Sequence, residues 1–340
     1  MTAFVTRYDF RAPGEALSRQ QEMFRRCLDQ VDYVEEHGMG AIVLSEHHAS
    51  DDGYLPSPLM AAAAVAARTK TIPISVAALL ANLYEPLRLA EDIAVLDHLS
   101  GGRVTYVIGL GYRPEEYAMF NADWKGRGRA IEEVVEVLQQ AWAGEPFDYK
   151  GRTVQVLPTP YRDPVLFYGG GSPAAARRAA RLGLHFQPQV ADPSLRDLYA
   201  EECRSHGREP GFVMLPPPGP ATVFCSEDPD RFWAEYGQFM LAEARGYNAW
   251  HNDFNSLVRD SSDSVEEMRT AGIYVVLTPE DLIAQCLSRE IRVVSSHPLC
   301  GGLTEDGSWE SLKLICETVM PAVNAGIAAA KAAKLPASTD

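Results

Sequence analysis

Short apolar runs and amphipathic helical patterns alternate about eight times along this chain, with no linker between successive units. Each parallel strand must return through a crossover, which an intervening helix supplies, so the pattern calls for a parallel sheet. Eight repeats in 340 residues favour a closed (β/α)8 TIM barrel with insertions over an open doubly wound sheet. Expected strands cover residues 4–10, 40–45, 72–79, 104–108, 165–168, 184–190 and 291–295, and the seventh is either 212–215 or 221–225. Residues 147–157 alternate around a Lys150-Gly151 turn and read as a hairpin outside the barrel. The polar stretch within about 246–278 reads as an excursion over the barrel mouth. One domain over 1–327, followed by a frayed tail at 328–340, is the expected organisation.

Composition narrows the function classes. A formal net charge of −15 argues against a phosphate-backbone binder, which needs clustered positive charge. The six cysteines at 27, 203, 225, 286, 300 and 316 form no C-x-x-C pair and no metal-ligand spacing. They read as reduced thiols in a cytoplasmic protein. The N-terminal residues carry no basic-then-apolar pattern, and no apolar run approaches the roughly 20 residues that span a bilayer. No nucleic-acid or membrane partner is expected.

The strongest chemical signal is Ala41-Ile-Val-Leu-Ser-Glu-His-His48, an apolar run ending in Glu46, His47 and His48. Its polar end falls at a strand's carboxyl terminus, where parallel α/β folds place their chemistry. Adjacent residues on an extended segment point to opposite sides, so the two histidines are poorly placed to share an ion, and no metal is expected. There is no G-x-S-x-G elbow for a serine hydrolase. A single catalytic histidine, its tautomer fixed by Glu46 or by the neighbouring histidine, fits better. A second signal is Gly169-Gly170-Gly171-Ser172-Pro173, where Ser172 and Pro173 make a good N-cap and first helical position. The free amides of that helix start make an anion site, while Arg177 and Arg178 either add charge or face solvent. Gly109-Leu110-Gly111 is a weaker version of the same turn. Pro114 stands at its third glycine position, so it is no dinucleotide fingerprint, and no phosphate loop occurs elsewhere.

Taken in order, S-E-H-H-A-S-D-D-G-Y-L-P-S-P, I-S-V-A-A-L-L, L-A-E-D-I-A-V-L-D-H-L-S-G-G-R-V, G-L-G-Y-R-P-E-E, G-G-G-S-P-A-A-A-R-R-A-A-R and H-P-L-C-G-G-L resemble the bacterial luciferase-like flavin-dependent monooxygenases. The likeness covers nearly the whole chain, and the segment ending at Arg103 is its most specific part. The resemblance implies a barrel that binds FMN at its carboxyl face, with the phosphate near Gly170, Gly171 and Ser172. It implies a non-proline cis peptide under the flavin ring, matched by Ala77-Ala78, and a catalytic histidine matched by His47. In that family the reduced flavin activates dioxygen, and a nearby imidazole holds or moves a proton.

One departure concerns the position of Leu110, where many relatives carry an arginine that reaches the cofactor phosphate. Here the charge falls to Arg113 or is replaced by the amides of Gly171 and Ser172. The missing arginine leaves open the family's other cofactor, a deazaflavin that transfers hydride. Gly109, Leu110, Tyr112 and Arg113 complete the cofactor-binding candidates. Gln189, Tyr247 and Trp250, with Tyr112, are candidates for a lid over a small organic substrate. The resemblance further implies reduced FMN from a separate flavin reductase, since no nicotinamide motif is present, and a homodimer. A third reading, from outside enzymology, is a non-catalytic flavin-binding barrel.

Overall fold

The computed structural model describes residues 2–250 and 259–332. In chain order the strands are β1 Ala3–Tyr8, β2 Ala41–Leu44, β3 Ile74–Leu79, β4 Val104–Ile108, β5 Phe147–Tyr149, β6 Arg152–Val154, β7 Val165–Gly169, β8 His185–Gln187, β9 Thr222–Cys225, β10 Tyr274–Leu277 and β11 Val293–Ser296. Seven of them form one parallel sheet, and with the surrounding helices the fold is the expected TIM-barrel-like α/β architecture. Helix starts follow the proline rule: Pro58, Pro86, Pro114, Pro173, Pro193 and Pro279 each sit in the first turn, where a missing N–H costs nothing.

The chain divides into two compact units. The first comprises Met1–Ala41, Pro217–Ala249 and Val258–Asp340. Within it β1 pairs in parallel with β11, Ala3 opposite Val293 and Thr6 opposite Ser296, and β9 pairs in parallel with β10. Its core joins Phe224, Phe232, Trp233, Met240, Leu241, Tyr274 and Leu303. The run Glu305–Ala332 is 28 residues long and contains an 18-residue window with a mean hydropathy of 1.3, long and apolar enough by composition to cross a membrane. Its apolar positions Leu312, Ile315, Cys316, Val319 and Val323 are buried in this unit.

The second unit comprises Ile42–Pro216 and Trp250–Leu257. Here β2, β3, β4, β7 and β8 follow one another in parallel, and β5–β6 form the expected antiparallel hairpin. At the end of β3 the register with β4 slips: Ala77 faces Val107, but Leu79 already faces Ile108. The peptide bond Ala77-Ala78 at this slip is cis, as the family resemblance implied.

Several boundaries differ from expectation. The seventh strand is β9, and Val213 makes only an isolated bridge to Phe186. β8 is three residues long, so Gln189 lies beyond it. Within 246–278 the helix Pro229–Trp250 runs on to Trp250, a second helix covers Val265–Ala271, and β10 follows; residues 251–258 lie outside the described residues. The terminal helix extends past 328 to Ala332, while 333–340 lie outside the described residues.

Arg103 shows why the Gly101-Gly102-Arg103 segment matters. Gly101, in the left-handed conformation, ends helix Pro86–Ser100, which turns the chain into β4. The Arg103 guanidinium then donates to the carbonyls of Ala66 (3.0 Å), Thr69 (3.0 Å), Ile72 (2.8 Å) and Ser100 (2.7 Å). It thereby satisfies the carbonyl ends of two helices and holds the entry to β3. Arg103→Ala should destabilise the protein by about 2–3 kcal/mol, with lysine restoring only part of the loss, because one ammonium cannot span these acceptors. Urea denaturation measures it.

Candidate active site

Two buried carboxylates tie the end of β2 to its neighbours, Glu46 to the segment after β3 and Glu116 to the segment after β4. Glu46 accepts from the Leu80 amide (2.7 Å), the Tyr84 hydroxyl (2.7 Å) and His48 Nε2 (2.9 Å). It therefore fixes the backbone two residues beyond Ala78. Burial, then the Glu46 charge, pushes the Tyr84 hydroxyl far above its ordinary range, so it stays a donor. Glu116, fully buried on helix Pro114–Met119, binds the other histidine. Its Oε1 accepts from His47 Nδ1 (2.8 Å), the His48 amide (2.9 Å) and Arg113 Nη1 (3.4 Å). Burial opposes the charge on Glu116, yet the hydrogen bond and charge of His47, the His48 amide and Arg113 hold its carboxyl below the usual range.

An ionised carboxylate only accepts, so when His47 is neutral its proton resides on Nδ1 and Nε2 is left as an acceptor. The Tyr112 hydroxyl lies 2.9 Å from that Nε2. Rings enclose the imidazole: Tyr54 at 4.8 Å, Tyr112 at 5.1 Å and Trp250 at 4.8 Å between centroids. The sequence reading offered Glu46 or His48 as the group that fixes the catalytic tautomer. Glu46 instead serves His48, and Glu116 serves His47. Glu116 went unread although Pro114-Glu-Glu marks a helix start, because nothing local says which first-turn acid turns inward.

Arg113 is buried and its guanidinium is spent on the loop after β2. It donates to the carbonyls of His48 (2.6 Å) and Ala49 (3.2 Å) and stacks 4.1 Å from the Trp250 ring. Leu110 contributes its carbonyl to the Tyr117 hydroxyl. Gly109 lies against the cis pair: a Cβ there would stand 2.7 Å from the Ala78 Cβ, so only glycine permits the approach. Ser172 caps helix Pro173–Leu182, its hydroxyl accepting from the Ala175 amide, while Gly170 takes φ 137°. Arg177 and Arg178 pair with Glu202 and Glu132. Gln189 is half-buried, and its Oε1 has no hydrogen-bond partner among the described residues. Tyr247 belongs to the first unit, where its hydroxyl donates to Asp9 (3.4 Å) and Arg11 lies over its ring.

A family model described as luciferase-like monooxygenase matches residues 7–294. The chain belongs to that family. Among curated luciferase-like relatives, an F420-dependent glucose-6-phosphate dehydrogenase of Nocardia farcinica is 31% identical over 183 residues, 50% of this chain and 54% of that protein. The chain spans about half the length of the curated relatives it matches first. Among solved structures, the monooxygenase RslO1 of Streptomyces bottropensis superposes with a TM-score of 0.73 at 21% identity, over 94% of this chain and 99% of that one. The oxygenating constituent of 3,6-diketocamphane monooxygenase from Pseudomonas putida, solved with FMN, gives 0.70 at 19%, over 94% and 98%. Proteins similar to this chain include both monooxygenases and F420-dependent dehydrogenases.

The first unit holds a charged cluster that sequence reading missed. Glu243 on helix Pro229–Trp250 pairs with Arg7 of β1 at 2.5 Å and lies 2.9 Å from His297 Nδ1, just after β11. His297 Nε2 lies 3.2 Å from Asp9, and neither ring nitrogen lines up for a linear hydrogen bond. Glu243 also accepts from the Gly301 amide and the Tyr274 hydroxyl. Glu243, His297 and Cys300 stand close enough to surround a cation, yet Arg7 already supplies the compensating charge. The visible signal was an arginine in the first strand and an aspartate just after it.

Burial opposes charge on both titrating partners here. His297 and Arg7 nonetheless hold Glu243 well below the carboxylate range, and Asp9 and Glu243 raise His297 above 6.5. The depressed acid stabilises the fold above about pH 4.3, a contribution lost as pH falls through its folded value. The raised histidine stabilises it below 6.5, a contribution lost as pH rises through its folded value. The stability these two groups provide is therefore greatest between those limits. Glu243→Gln leaves Arg7 buried without its partner and should cost about 3–5 kcal/mol. It should also flatten both flanks of the thermal midpoint measured against pH.

Proposed function

We propose that this chain is an FMN-dependent monooxygenase acting on a small organic substrate, supplied with reduced FMN by a separate flavin reductase. The observation that carries the reading is the juxtaposition of the cis Ala77-Ala78 platform with the buried Glu116–His47–Tyr112 set. Two alanines and the bare Gly109 give a flat surface on which a planar ring can lie, and a larger side chain at 109 would collide with it. Gly170, Gly171 and Ser172, at the start of a ten-residue helix, offer amides and a dipole suited to a phosphate. These residues fit FMN. When bound in reduced form, the cofactor supplies the electrons that activate dioxygen.

The protein's own contribution is to position and to hold protons. Ser172 and the neighbouring amides orient the phosphate end. Glu46 keeps the backbone beyond Ala78 in place, and the rings of Tyr54, Tyr112 and Trp250 exclude water from His47. Gln189, with its unsatisfied amide oxygen, is the polar candidate for a substrate donor. Arg113 acts on the cofactor through the His48–Ala49 segment it holds. Six buried, unpaired cysteines suit a reducing, cytoplasmic setting. A homodimer completes the proposal on family grounds.

A second reading, a deazaflavin-dependent hydride-transfer enzyme, is favoured by the F420-dependent relative and by the lack of an arginine at Leu110. Fluorescence titration with FMN and with a deazaflavin separates the two: FMN binding with dioxygen uptake is expected, and deazaflavin binding without FMN binding overturns the choice. His47→Ala should leave FMN affinity within about threefold and slow dioxygen-coupled turnover by about 100-fold. A non-catalytic flavin binder would show no turnover to lose.

A further inference from the structure

We propose that Glu116 is a positioning residue for His47, and that the Tyr112 hydroxyl is the outer end of a three-group proton relay. The inference rests on the flavin-dependent reading of this site and adds to it the group that meets the bound ligand. His47 is buried and ringed by aromatics, whereas Tyr112 is half-buried and bridges the imidazole to the accessible side of the loop after β4. Glu116 is fully buried and serves as acceptor for His47 Nδ1, the His48 amide and Arg113. Its second oxygen has no hydrogen-bond partner among the described residues, so the three donors converge on the oxygen that faces His47.

The neighbouring His48 is unsuited to the task. Its Nε2 is held by Glu46, and its ring stands edge-on to Phe120 at 4.7 Å. Among the described residues His47 meets Glu116 from the helix at Pro114, with Arg113 beside that carboxylate, Tyr112 from the loop after β4, Tyr54 from the loop after β2, and the uncharged Trp250. Glu116 is the only carboxylate in this described set.

The proton balance is simple. As the relay accepts a proton, the Tyr112 O–H bond breaks and an N–H bond forms at His47 Nε2. The phenol oxygen takes a proton from the bound ligand, so Tyr112 ends neutral and the imidazole ends cationic. Glu116 stays ionised and stabilises that cation, and the reverse sequence returns the proton. No electron changes hands in the relay.

The test uses Glu116→Gln, Glu116→Asp and Tyr112→Phe, each read in two ways. In flavin-free protein, 15N NMR of labelled histidine reports the His47 Nδ1–H signal. With reduced FMN, dioxygen-coupled turnover is followed against pH. Glu116→Gln should displace the Nδ1–H signal and move the limb of the pH profile by on the order of one unit, with KM for reduced FMN unchanged. Glu116→Asp should recover part of both. Tyr112→Phe should keep the Nδ1–H signal and slow turnover by about 100-fold. An unmoved signal and pH limb in Glu116→Gln, or full turnover in Tyr112→Phe, overturns the relay. A protein that turns over no flavin defeats the flavin reading instead. The flavin-free Nδ1–H signal then still decides for or against Glu116.

Discussion

A carboxylate with no water around it must be surrounded by donors, and Glu116 meets that demand by gathering the site. Its Oε1 draws in the His47 ring, the His48 backbone and the Arg113 guanidinium, from two loops far apart in sequence. Removing any one donor leaves the others crowding a partly compensated charge. The loop after β2 is thus shaped as much by the need to satisfy Glu116 as by its own sequence.

Two consecutive histidines look redundant until their partners are compared. Successive side chains on an extended segment diverge, so each imidazole meets a different wall and a different acid. Glu46 ties His48 to Tyr84 and to the Leu80 amide, and so belongs to the frame behind the cis peptide. Glu116 ties His47 to the aromatic side of the site. One histidine steadies the scaffold while its neighbour faces the chemistry.

How much of this was legible depended on whether a feature is local. The alternation of apolar runs and helices, the Pro173 and Pro58 helix starts and the Lys150-Gly151 hairpin are short-range patterns, and each appears where expected. The cis Ala77-Ala78 bond was reached through family likeness, since two alanines ending a strand carry no such signal themselves. β10 was missed because Tyr274-Val-Val-Leu sits between a polar stretch and Pro279, where it read as part of an excursion. The pairings Glu116–His47 and Glu243–His297 join residues 69 and 54 positions apart, and only the fold decides which acid meets which base. Arg113 read as a candidate to reach the cofactor phosphate in place of an arginine at Leu110; the backbone carbonyls that take it are invisible in one dimension.

The anchoring of His47 Nδ1 also limits how that ring can move. Turning an imidazole over puts Cδ2 and Cε1 where Nδ1 and Nε2 stood, and here the turn would break the bond to Glu116 and sweep the ring past Tyr54 and Trp250. Such a ring cannot ferry a proton by rotating. Whatever enters at Nε2 must leave at Nε2. The moving part is then the phenolic O–H of Tyr112, which swings about one C–O bond and displaces almost no mass.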